Sequence, residues 1–152
     1  MQEISLRPRW PWLAPLTMAI SGAAEAIAIY LTIAHYTTPA LLACPGTSLI
    51  NCAKVTTSPA SMLFGIPVAL VGTVYFLVML PLCLPAAWRS HNTALRITRQ
   101  AMATAGMLFV LYLVGTEFLV LGSICLWCSA VHVLSFALFL LITAATASGA
   151  TG

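Results

Sequence analysis

With 152 residues, 61% of them hydrophobic and only 6% charged, the chain is excluded from the soluble domains, in which roughly a quarter of residues are charged. Its mean hydropathy of +1.03 is that of an integral membrane protein. The net charge of +3 comes from scattered basic residues, which argues against nucleic acid as a partner, and the lack of any Asp, with Glu3, Glu25 and Glu117 the only acids, argues against a two-carboxylate or metal enzyme of the soluble type.

Four apolar stretches are long enough to cross a bilayer, which takes about 20 helical residues: 12–36, 63–84, 97–124 and 126–147. They predict an all-α membrane domain, a single four-helix bundle occupying 1–152, with a loop at 37–62 between the first and second helices. Within the first stretch, Ala24-Glu25-Ala26 has the form of a signal-peptidase site. The apolar run nevertheless continues to Tyr36, too long for a signal h-region, so this span is expected to be retained. The third and fourth stretches are parted only by a turn at Gly122-Ser123, and the Ala/Ser/Thr/Gly tail from Thr143 onward is expected to fray.

Arg7 and Arg9 precede the first stretch, Arg89, Arg96 and Arg99 lie around the connection from second to third, and Lys54 alone lies in the 37–62 loop. Five of the six positive charges therefore share one side, which the positive-inside rule makes the cytoplasm. Both termini are then expected inside a cytoplasmic (inner) membrane, with 37–62 and the 122–125 turn outside. Cys44, Cys52, Cys125 and Cys128 consequently face an oxidising compartment, where disulfides persist. Cys83 falls at the cytoplasmic end of the second span and reads as a small apolar residue.

Cys125-Leu126-Trp127-Cys128 sits where a turn gives way to a helix. Cysteines at i and i+3 share one helix face, and a helix start stabilises a thiolate through its unpaired N–H groups and dipole. C-x-x-C alone also occurs in zinc knuckles. The loop supplies a second pair, Cys44 and Cys52, with Pro45-Gly46 as a turn between them. Thiol–disulfide exchange proceeds through a mixed disulfide, so the two pairs must be able to touch. In an inward-running helix Cys128 lies about 4.5 Å deeper than Cys125, nearer to anything dissolved in lipid.

The order Cys44…Cys52-Ala53-Lys54-Val55, Ser58, Phe64-Gly65-Ile66-Pro67, Gly72, Glu117 and Ile124-Cys125-Leu126-Trp127-Cys128 resembles the vitamin K epoxide reductase family, most of all its short bacterial members without a fused thioredoxin domain. The likeness runs over about residues 14–141. It implies a membrane oxidoreductase that passes electrons from a secreted thioredoxin-fold protein to a lipid quinone of the menaquinone or ubiquinone type. By that resemblance Cys44 meets the partner, Cys52 exchanges with Cys125, and Cys128 reacts with the quinone. Leu126 stands where bacterial relatives often have Pro. His132 takes the place of the Tyr with which animal members bond the quinone, and Ser61 aligns with their Asn. Epoxide reduction is not implied by these residues.

His132, four residues after Cys128, is an intramembrane polar group of the kind that is costly without a task, and it could donate to a quinone oxygen. Glu117 could orient the same pocket, and structural bonding explains it equally well; Glu25 shares that ambiguity. Trp127 could cover the disulfide or the quinone, or be an interface residue. Ser58 reads as a loop clasp or an N-cap, His35 as interfacial, and Gly22, Gly65, Gly72, Gly106 and Gly115 as helix-packing sites. The rival function is a metal-binding or transport protein with the four outer cysteines as ligands.

Overall fold

The computed structural model describes residues 10–149; Glu3, Arg7 and Arg9, on which part of the charge argument rests, lie outside them. Three helices are long and apolar enough to cross a membrane. α1 is Leu13–Tyr36; α5, Thr93–Thr116, runs on into a π-helical turn, Glu117–Leu121; α6 is Leu126–Ala147. Between α1 and α5 come α2 (Cys52–Thr57), α3 (Val68–Leu82) and α4 (Pro85–Arg89).

The second apolar stretch is shorter as a helix than its hydropathy predicts. Its first residues form a hairpin instead, β1 (Met62–Leu63) antiparallel to β2 (Ile66–Pro67). The turn residues Phe64 and Gly65 both have positive φ, 52° and 83°, the backbone of a two-residue turn whose twist suits a hairpin. Pro67 caps α3 at one end, and Pro81, which cannot donate to the helix, lies one residue before its last at the other. The 15 residues of α3 span about 22 Å, less than the hydrocarbon core of about 30 Å. Residues Thr143 to Ala147 do not fray but complete α6, because Ala145 is packed with Ile142 in the core.

Taken in order, α1, α3, α5 and α6 alternate in direction. At one end, Trp88 of α4 donates to Thr17 of α1 (3.1 Å), and Arg99 of α5 donates to the carbonyl of Leu82 in α3 (3.2 Å). The Arg99 guanidinium lies 3.5 Å above the Trp88 ring and is 2% exposed, so this arginine is a packed element of the bundle end. Cys83 is fully buried there, accepting from Ser21 at 3.6 Å. Glu25, one turn on from Ser21, is buried with one carboxyl oxygen unpartnered among the described residues. The opposite end gathers the C-termini of α1 and α5, the N-terminus of α6 and the 37–62 loop. Of the seams between neighbours among these four helices, that between α3 and α5 is the slightest; Tyr75 bridges it by donating to the Met102 carbonyl at 2.9 Å.

Candidate active site

The loop is packed down on the bundle. Tyr30 of α1 donates to the Leu41 carbonyl (2.5 Å) and accepts from the Ala43 N–H (3.2 Å). Trp127 donates to the Ala43 carbonyl (3.1 Å) and stands edge-on to Tyr30, ring centroids 5.1 Å apart. Leu42, Cys52 and Val55 are buried against Leu31, Ala34 and Cys125. Cys44 and Cys52 are joined by a disulfide, with Cα atoms 6.1 Å apart. A turn in which Thr47 and Ile50 exchange hydrogen bonds closes the segment between them.

A short parallel bridge then sets the loop beside the second cysteine pair. Ile124 donates to the Leu49 carbonyl at 2.8 Å, and Asn51 donates to the Ile124 carbonyl at 3.1 Å. Cys125 follows Ile124 directly and Cys52 follows Asn51, whose N–H closes the bridge; both are buried, and both belong to one packed cluster. The two pairs therefore lie at the same end of the bundle and within one core.

Cys125 is the N-cap of α6: its sulfur accepts from the Cys128 N–H at 3.3 Å, a position usually held by Ser, Thr or Asp. Cys125 and Cys128 are both free thiols. The Cys128 thiol donating to the Cys125 sulfur holds the Cys125 pKa below the ordinary thiol value, against the opposing effect of burial, and the backbone N–H of Cys128 adds to the lowering. The pair thus has a sense, with Cys125 the thiolate and Cys128 the proton donor.

On the other side of Cys128 is a cavity of about 320 Å³ between α1, α3, α5 and α6, within the range of small-molecule sites. Its walls are apolar except for a few groups: Cys128, His132 and Ser135 of α6, Thr116, Glu117, Ser61, Thr56, His35 and Tyr75. Of the residues expected from sequence to hold a ring, His132, Ser61 and Glu117 all line this one space. Trp127 does not; its indole is spent on the loop. His132 is buried and makes no hydrogen bond to another described residue, so its ring nitrogens remain for an occupant. Ser61 gives its single proton to the Thr56 (2.8 Å) or Ser58 (2.7 Å) carbonyl, leaving it only lone pairs to offer. Glu117 accepts from the Cys125 backbone N–H. The π-helical turn and the left-handed Gly122 (φ 56°) behind it turn Glu117 inward while Phe118, Leu119 and Val120 stay exposed.

His35, expected as an interfacial residue, stands in the last turn of α1. It lines the cavity, with Nδ1 at 3.1 Å from the Thr56 carbonyl. A carbonyl only accepts, so Nδ1 carries the proton and the neutral ring leaves Nε2 as an acceptor. Its signal was the spacing Ala28, Leu31, His35, one stripe of α1 that faces the cavity throughout. Ser58 clasps the loop by donating to the Val55 carbonyl at 2.9 Å. As for metal ligation, the Cys44–Cys52 bond removes two of the four sulfurs at this end of the bundle, and no group of three or more His, Cys, Asp or Glu side chains is gathered for a metal among the described residues.

Comparison with protein families finds a match to the model described as the Vitamin K epoxide reductase family over residues 8–143. Comparison with individually curated proteins finds no match.

Proposed function

The chain belongs to the vitamin K epoxide reductase family, a family of membrane oxidoreductases, and from that premise we propose that it forms disulfides for the extracytoplasmic space. In this reading a reduced thioredoxin-fold protein delivers electrons to Cys44 and Cys52, these pass them to Cys125 and Cys128, and a menaquinone- or ubiquinone-type quinone receives them. α1, α3, α5 and α6 are the four crossing helices, with the Arg89–Arg99 end in the cytoplasm and the loop outside.

The observation that carries the reading is the Ile50–Ile124 bridge, with Cys125 one residue and Cys52 two residues beyond it. The Cys52 thiolate attacks the Cys125 sulfur of an oxidised Cys125–Cys128 pair, and Cys128 leaves and takes a proton. Cys44 then attacks Cys52 in the mixed disulfide and releases Cys125 as the stabilised thiolate. Two electrons have moved from loop to helix, and the products are the Cys44–Cys52 bond with Cys125 and Cys128 as thiols, the arrangement described above.

The cavity fits a quinone head: it is apolar, it carries Cys128 on its wall, and its polar groups are few. A bound quinone would accept the two electrons and two protons as the Cys125–Cys128 bond re-forms. His132 is the one buried polar wall group with nitrogens free to donate to a carbonyl oxygen. Ser61 and the neutral His35, which have lone pairs to offer, suit the hydroxyl groups of the reduced product.

The test is quinone reduction by the purified protein. Cys125→Ala and Cys128→Ala should abolish it with any thiol donor. Cys44→Ala should stop turnover with a reduced thioredoxin-fold protein and leave dithiothreitol usable. Equal loss with both donors in Cys44→Ala would remove the loop pair from the path.

A further inference from the structure

Building on the relay proposed above, we infer that Lys54 is a positioning residue: it latches the loop to the α5–α6 turn and so holds Cys52 in register with Cys125. Its ammonium donates to the Leu121 carbonyl at 2.8 Å and to the Ser123 hydroxyl at 3.0 Å. Both acceptors belong to the irregular chain between α5 and α6. Leu121 ends the π-helical turn, so its carbonyl is among the terminal groups with no partner inside the helix, and the negative end of the helix dipole favours a cation there. Ser123 is 2% exposed and carries the second acceptor directly ahead of Ile124, the residue that bridges to Ile50.

The register follows from the covalent spacing. Lys54 lies two residues after Cys52, and Ser123 lies two residues before Cys125. The bridge from Ile50 and the latch from Lys54 therefore hold the loop on either side of Cys52, and both fasten it to the short stretch immediately ahead of Cys125. The helix that carries Lys54 is set by Asn51, whose side chain accepts from the Lys54 N–H at 2.9 Å. A six-residue helix is too short to hold its place by itself, so its alignment depends on such contacts. An exposed lysine contact adds little to global stability. Here it acts on a local equilibrium, loop docked or undocked, that decides whether two sulfurs meet.

The experiment isolates the Cys52–Cys125 encounter. In a Cys44→Ala/Cys128→Ala chain, diamide takes up the two electrons and two protons released as Cys52 and Cys125 join, and peptide mass analysis times the bond. Adding Lys54→Met should slow its formation about tenfold, the factor that corresponds to about 1.4 kcal/mol of lost docking. Lys54→Arg, which keeps a charged donor, should restore most of the rate, and Ser123→Ala should give a smaller slowing. In a Cys44→Ala/Cys52→Ala chain, where dithiothreitol must reduce Cys125–Cys128 directly, Lys54→Met should leave quinone reduction at the rate of that background. The same fractional loss there would mean a general structural defect and overturn the latch. A Cys52–Cys125 bond that forms equally fast with Met at position 54 would overturn the latch and leave the relay standing. Failure of that bond to form even with Lys54 in place would bring down the relay and the latch together.

Discussion

Cys125 combines three influences at one sulfur: the start of α6, the N–H of Cys128 and the thiol of Cys128. All three stabilise negative charge on this sulfur, so they favour its thiolate over that of an isolated cysteine. Because the pKa is lowered, the thiolate persists to a lower pH, and reactivity is lost only as pH falls below the range of an ordinary thiol. Cys128→Ala removes the donated S–H and should move the alkylation profile of Cys125 by iodoacetamide to higher pH; an unmoved midpoint would mean that the Cys128 thiol contributes nothing. His132 offers a second residue-scale test. His132→Leu should raise KM for the quinone in steady-state assays while the rate of Cys52–Cys125 bond formation stays as before, since His132 lines the cavity and touches neither sulfur of that pair.

Elements meet tightly where a side chain needs another element's backbone. Tyr75 of α3 reaches across to α5, and a Cβ on Gly106 would lie 2.7 Å from the ring carbon that bears the Tyr75 hydroxyl, closer than real Cβ atoms come. Gly106→Ala should therefore displace Tyr75, which lines the cavity, and lower stability by about 1–3 kcal/mol, as overpacking does. A Cβ on Gly115 in the same helix meets nothing within 4 Å, so Gly115→Ala should be neutral or stabilise by up to about 1 kcal/mol through helix propensity. Thermal unfolding of the two variants in one detergent checks the contrast. The slight α3–α5 seam and the short α3 have a common origin: the Phe64-Gly65 turn and two prolines confine α3 to a length that only partly matches its neighbours.

For the whole molecule, the side on which the cysteines lie is the quantity that matters. The exposed Ser48 in the loop and the exposed His91 before α5 lie at opposite ends of the bundle. In a chain freed of native cysteines, Ser48→Cys should react with a membrane-impermeant maleimide on intact cells. His91→Cys should react only after permeabilisation. The reverse pattern would put the sulfur pairs in a reducing compartment and end the proposed role. The bundle's apolar, membrane-like character, α6 from end to end, α1 to within a residue and the gathering of two cysteine pairs at one end of the bundle were legible from the chain alone. Hydropathy and i, i+3 spacing are local properties, written wherever the residues stand. The trimming of α3 into a hairpin, the burial of Arg99 against Trp88, the place of His35 on the cavity wall and the diversion of Trp127 to the loop were decided only in three dimensions. Each depends on a partner far away in sequence, such as Thr56 for His35 and Ala43 for Trp127, and no local pattern can name a hydrogen-bond acceptor that folding alone brings within reach.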